Sequence, residues 1–224
     1  LLFNYFFQQP KERQLFIEQE VEGKKPTFGY LYLAGLIAHK RVNRMLTTNF
    51  DDLLADALVK YYDIKPIDCA FDSGVRGIRV ASQRPKIIKL HGDFLYDNLR
   101  NMKHDLKSLD ANMEEKMYEM CKDSGLIVVG YSGSDESVMA PIRDMIRKED
   151  YLNMGLHWCV FNPEEKEEVE LPKKVEDIIN SNEDRVHLYS ISSFDNLMEK
   201  VFLACGCTFP KVLTDPHTNN LPKE

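Results

Sequence analysis

A chain of 224 residues is long enough to bury one sizeable core, and 43% hydrophobic with 29% charged residues is an ordinary globular balance that excludes collagen-like, mucin-like and disordered classes. The formal net charge of -7 opposes binding of a polyanion through diffuse electrostatics, so nucleic acid is not expected as a direct partner. Five cysteines, at positions 69, 121, 159, 205 and 207, fit neither a disulfide framework nor zinc-ribbon spacing and read as free, mostly buried thiols of a reducing compartment. The opening LLFNYFF has no basic leader, and no apolar run reaches the roughly eighteen residues of a membrane span, so the expected location is cytoplasmic, away from any membrane. With no initiating methionine, the chain is expected to be a piece of a longer product or to have lost residues at its start.

In chain order, KERQLFIEQEVEG predicts a helix closed by a glycine, and PTFGYLYLAGLIAHK predicts a second, well-buried helix behind its proline. RMLTT then reads as a short strand feeding Asn49, and Leu53, Leu54, Ala57, Leu58, Tyr61 and Tyr62 recur at helical spacing. Residues 72–85, with two glycines, suggest a loop or small hairpin. PKIIKLHGD predicts an apolar strand ending at His91, and GLIVVGYSGSD another ending near Gly130. Leu106, Leu109, Met113, Met117 and Met120 fit one amphipathic helix between them, and Val138, Ile142, Met145 and Ile146 fit another after Gly130. HWCVF and RVHLYS are further strands, followed by helical stretches around 164–180 and 194–205; NPEEKEEVE reads as a solvated helix face. Residues 208–224, with three prolines, read as a C-terminal tail or linker, leaving 1–207 as the domain. Short continuous apolar strands alternating with helices predict an α/β, Rossmann-like fold: a mainly parallel sheet covered by helices on both faces.

Parallel sheets bind ligands at the carboxyl ends of their strands. Three polar clusters fall there: Thr47 to Asp52, His91 to Asp93, and Gly130 to Asp135. Taken singly, Asp51, Asp52, Asp93, Ser134 and Asp135 are explained as helix caps worth about 1 kcal/mol each. His91 resists that account, although a hydrogen-bonded structural histidine remains an equal alternative. His39, His104, His157, His187 and His217 lack partners at ligand spacing, Trp158 reads as strand packing, and the CGC at 205–207 has no companion ligands for a metal.

The ordered set MLTTNFDDLL, KIIKLHGD and LIVVGYSGSD resembles the sirtuin-like NAD-hydrolase branch of bacterial antiphage defence systems, over residues 28–206. In sirtuins the corresponding motifs read T-Q-N-x-D, H-G and G-T-S, so Thr48 stands where the deacylases carry glutamine. The resemblance implies that Asn49 and His91 are catalytic, with His91 the base, and that Thr48, Asp51, Gly130, Ser132 and, in CVFNPEE, Asn162 contact NAD. NAD is then a substrate, cleaved to nicotinamide and ADP-ribose. Loss of neutral nicotinamide from a cationic ring needs a positioned water and a base but no general acid, and asparagine with histidine suits that need.

Two departures shape the expectation. Only Cys121 lies in residues 93–125, where deacylating sirtuins carry two CxxC pairs, so no zinc-ribbon module, no metal and no protein deacylation are expected. The G-A-G-x-S loop that opens the family is missing, which fits loss at the start of the chain. The resulting expectation is an NAD glycohydrolase acting in antiviral defence by NAD depletion, a homo-oligomer restrained by a regulatory domain or partner protein. The alternative is a non-catalytic NAD or ADP-ribose sensor, or an oligomerisation module.

Overall fold

Four consecutive residues, Lys86 to Lys89, form a strand in which every position is buried, and this strand organises the first half of the molecule. The computed structural model describes residues 9–92, 109–164, 169, 171–182, 184–210 and 213. It divides into two compact units, Leu1–Met102 with Met198–Glu224, and Lys103–Leu197.

In the first unit, helices α1 (Pro10–Val21) and α2 (Phe28–Ala38) precede β1 (Arg44–Thr47), α3 (Leu53–Tyr62), β2 (Ile67–Cys69), a single turn α4 (Asp72–Val75) and β3 (Lys86–Lys89). The sheet order is β1-β3-β2, with both pairings parallel, so β3 is central and can bury all four residues. Gly23 follows α1 at φ 74°, the left-handed geometry that a closing glycine supplies without strain. Residues 72–75 are helical, where the sequence suggested a loop or hairpin.

Helix α2 is apolar on most faces because it is packed on several sides. Leu31, Ala34 and Ile37 join Met45, Ala57, Leu58, Tyr61 and Ile87 in one core cluster, which Leu213 also enters. Phe209 packs against that cluster and stacks on Phe202, with ring centroids 4.8 Å apart. Part of the stretch read as an outgoing tail is thus core, because Phe209 and Leu213 bury more apolar surface than the neighbouring prolines and polar residues suggest. Phe202 lies on the last helix, α8 (Phe194–Ala204), whose residues from Met198 onward belong to this unit.

The second unit contains α5 (Ala111–Cys121), β4 (Leu126–Val128), α6 (Glu136–Ile146), β5 (Leu156–Phe161), α7 (Lys173–Ser181) and β6 (Val186–Ile191). Its sheet is also parallel, in the order β4-β5-β6. Met113, Met117 and Met120 of α5, Met145 of α6 and Trp158 of β5 are buried, as their helical and strand spacing predicts, and Met139 of α6 is buried with them. Leu106 lies outside the described residues, and Leu109 is buried just ahead of α5. Tyr118 of α5 donates to Asp144 of α6 at 2.5 Å, and the Arg185 guanidinium reaches the carbonyls of Ile146, Lys148 and Tyr151. A cation there satisfies acceptors that the end of α6 leaves open. Helix α7 begins at Lys173, later than the acidic run suggested; Pro163 and Glu164 form a turn, and residues 165–168 and 170 lie outside the described residues. All five cysteines are free thiols, three of them buried. Among the described residues, no helix is long and apolar enough to cross a membrane.

Among the described glycines of the first unit, Gly35 of α2 is the most closely packed: an added Cβ would lie 2.6 Å from the Tyr62 hydroxyl and inside contact distance of the Phe202 ring. Phe202 is 2% exposed, and its ring packs against Tyr32 and Phe209. Gly35→Ala is expected to destabilise the fold by about 1–3 kcal/mol despite alanine's better helix propensity. Urea unfolding should show a lower midpoint at unchanged slope, and an equal or higher midpoint would refute the close packing.

Candidate functional site

Strands β1 and β3 run side by side with Arg44 opposite Lys86 and Thr47 opposite Lys89. One further bond, Leu90 N–H to the Thr47 carbonyl at 2.8 Å, extends the pairing past the strands. Asn49 and His91 each stand two residues beyond the last register pair, so the ladder delivers both to the same carboxyl edge of one parallel sheet. His91 is 7% exposed, whereas Asn49 is exposed. Gly92 follows at φ 89°, a backbone turn that a β-carbon would strain, and its N–H reaches back toward the Lys89 carbonyl at 3.4 Å. Asp93 lies outside the described residues.

The loop joining β1 to α3 is held by its own polar residues. Asn49 N–H donates to Thr47 Oγ1 at 3.0 Å, and Leu53 N–H donates to Asp51 Oδ1 at 3.1 Å. Thr48 is half-buried between them. The sequence offers Asp51 and Asp52 alike as cap candidates, and the local bonds tell them apart. Asp51 satisfies the first turn of α3, while the Asp52 side chain makes no capping bond and accepts from Lys89 Nζ at 2.5 Å. Lys89 pulls Asp52 away because an ammonium that is 1% exposed needs an anion more than a helix start needs a second acceptor. Lys89 also donates to the Phe50 carbonyl at 3.3 Å. Sequence reading passed over Lys89, although a lysine inside an apolar strand, opposite a strand that feeds an aspartate-rich loop, was the available signal.

Asp56, one turn into α3, feels the same crowding. Its carboxyl pKa is raised, first by burial and then by repulsion from Asp52, with Lys60 and Lys89 pulling the other way and Asp51 adding to the rise. This edge of the first unit is therefore acidic, with Lys89 as an embedded countercharge.

In the second unit, β4 and β5 present Gly130, Ser132 and Asn162 beyond their carboxyl ends. Gly130 sits at φ 68°, with nothing within 4 Å of the place a Cβ would take. Gly133, at φ 69°, is closely packed, since its Cβ would come 2.7 Å from Val175. Ser132 is exposed and donates to Ser134 Oγ at 3.0 Å. Asp135 caps α6 as the sequence suggested: its Oδ1 accepts from Val138 N–H at 3.1 Å and Ser137 Oγ at 2.8 Å, and its Oδ2 accepts from the Tyr131 hydroxyl. Burial, reinforced by that carboxylate, pushes the Tyr131 phenol well above its ordinary pKa. Asn162 is buried, its N–H bonded to the Ile191 carbonyl at 2.8 Å. The structure thus brings Thr48, Asn49, Asp51 and His91 to one unit and Gly130, Ser132 and Asn162 to the other. Among the described residues, no group of three or more His, Cys, Asp or Glu side chains is placed to hold a metal ion.

Comparison with protein-family models gives a match to the SIR2-like domain over residues 43–183. The chain belongs to the SIR2-like domain family. The match runs from the start of β1 through α7 and includes all three polar clusters, whereas α1, α2, β6 and α8 lie outside it. No curated protein matches the sequence. Membership in a SIR2-like family implies NAD-related chemistry, and it supports the α/β, Rossmann-like reading of the fold.

The raised pKa of Asp56 has a definite sign. Below the unfolded value, near 4, the group is neutral in both states; as pH rises through its folded pKa the ionised carboxylate costs stability. Asp56→Asn is therefore expected to raise the melting temperature at pH 7 and to lose that advantage at pH 3. A variant less stable than the parent at pH 7 would show that the carboxylate is instead favourably held.

Proposed function

We propose that this SIR2-like domain is an NAD glycohydrolase that cleaves the nicotinamide–ribose bond and serves antiviral defence by depleting NAD. The reading rests most on the pairing of β1 with β3, which sets Asn49 and His91 beyond adjacent strand ends of one parallel sheet. Family membership supports NAD as the molecule acted upon.

The chemistry is balanced as NAD plus water giving nicotinamide, ADP-ribose and a proton. The electron pair of the glycosidic bond leaves with the nicotinamide nitrogen, which becomes neutral, and positive charge moves onto the ribose ring. Asn49 orients the attacking water or a ribose hydroxyl through its amide, and the His91 imidazole takes the water's proton as the new C–O bond forms. Thr48 and Asp51 are assigned to the nicotinamide-side ribose. Gly130, Ser132 and Asn162 are assigned to the adenosine half on the sirtuin resemblance. Control by oligomerisation or by a regulatory domain or partner belongs to the same proposal, because unrestrained hydrolysis would drain the host's own NAD.

Purified protein is expected to release nicotinamide from NAD once activated. Asn49→Ala and His91→Ala should each lower kcat by about 100-fold to 10,000-fold. Undiminished turnover in both variants would overturn the assignment, and calorimetric binding of intact NAD without nicotinamide release would make the domain a sensor.

A further inference from the structure

We propose that Lys89 is a positioning residue of the candidate NAD site, a role that rests on the NAD-hydrolysis reading: its ammonium fastens the loop carrying Asn49 to the strand carrying His91. The lysine is the last residue of β3, is 1% exposed, and reaches Asp52 Oδ1 at 2.5 Å and the Phe50 carbonyl at 3.3 Å. These two acceptors lie on either side of Asp51, in the segment between β1 and α3. Among the described residues, the loop's other side-chain bonds are local, from Asn49 N–H to Thr47 and from Leu53 N–H to Asp51. The Lys89 clamp instead ties it to a neighbouring strand, 37 residues on in the sequence for Asp52 and 39 for Phe50.

Placement decides what such a clamp does. His91 follows Lys89 by two residues, and Thr47, the register partner of Lys89, precedes Asn49 by two. A shift of the loop relative to β3 would change the distance between asparagine and histidine directly, and displacements of about 1 Å in a reacting geometry cost on the order of 100-fold in rate. The ammonium is not needed merely to fill the strand, because a methionine has similar length and no charge to satisfy.

Lys86 provides an internal control. It is also fully buried, at the opposite end of the same strand, but its Nζ bonds to the Ser82 and Arg84 carbonyls, in the segment that leads into β3. It shares burial and charge with Lys89 and has no bond to the Asn49 loop among those described. Burial, with repulsion from Arg44, lowers its pKa, so it too carries a desolvation cost.

The test compares Lys89→Met, Asp52→Ala and Lys86→Met in the whole protein, with NAD as the probe. Lys89→Met and Asp52→Ala are expected to lower kcat for nicotinamide release by about tenfold or more while KM for NAD moves less than about threefold. The double variant should be little worse than either single one, as expected for two halves of one contact. Amide exchange over residues 49–53 should quicken in both variants without NAD present. Lys86→Met should lower the melting temperature yet keep kcat per folded molecule and the exchange rates of that loop.

Parental kcat in Lys89→Met and Asp52→Ala, or losses that merely follow the unfolded fraction as in Lys86→Met, would overturn the positioning role while leaving NAD hydrolysis standing. A parent protein that releases no nicotinamide under any activating condition would overturn the NAD reading itself, and this role with it. Asp52 keeps 36% of its side chain exposed, so Asp52→Ala remains informative should Lys89→Met fail to fold.

Discussion

An ammonium group buried at the end of a central strand cannot be left to itself. Removing such a charge from water costs several kcal/mol, and only nearby acceptors offset it. Lys89 stands in this position, paired with Thr47 of β1, and two of its acceptors, the Phe50 carbonyl and Asp52 Oδ1, come from the loop that leaves β1 at the same edge. The conformation of that loop follows. Asp52 turns toward the lysine, Asp51 takes over the first turn of α3, and Asn49 is held against Thr47. Water shares the pairing through the exposed part of Asp52, so its contribution falls short of that of a fully sealed ion pair.

The second unit meets the same problem with the opposite sign. Asp135, 8% exposed, gathers a backbone N–H, a serine hydroxyl and a tyrosine hydroxyl. Three donors on one carboxylate fix the Gly-Tyr-Ser-Gly-Ser loop from its helix end, and the left-handed Gly130 and Gly133 let the loop turn tightly enough to allow it. In each unit, then, a polar motif at a strand end is shaped by one buried charge. The members Asn49 and Ser132 are left exposed to solvent.

Much of this architecture was legible in the sequence. Continuous apolar runs marked β3, β4 and β5, although only β3 is buried at every position while Ile127 of β4 and Phe161 of β5 are exposed, and helical spacing of apolar residues marked α3, α5 and α6. The strand-end clusters were legible for the same reason, since each begins where an apolar run stops. The roles of individual carboxylates were not. Asp51 and Asp52 are equivalent as cap candidates on the chain, and only the position of Lys89 across the sheet distinguishes them. The helix at Asp72–Val75 was missed because its glycine reads as a breaker, and the inward packing of Phe209 and Leu213 was hidden by the prolines and polar residues around them.

The two units also differ in what fills them. Leucine, isoleucine, alanine and tyrosine dominate the cluster of the first, and among the described residues that unit buries Met45 and Met198, whereas the second buries Met113, Met117, Met120, Met139 and Met145. Thioethers conform to irregular gaps that branched side chains leave empty, but they are also open to oxidation. A sulfoxide formed among those helices would set a strong dipole amid hydrocarbon, so peroxide should loosen the half containing the glycine-rich loop before the half containing His91.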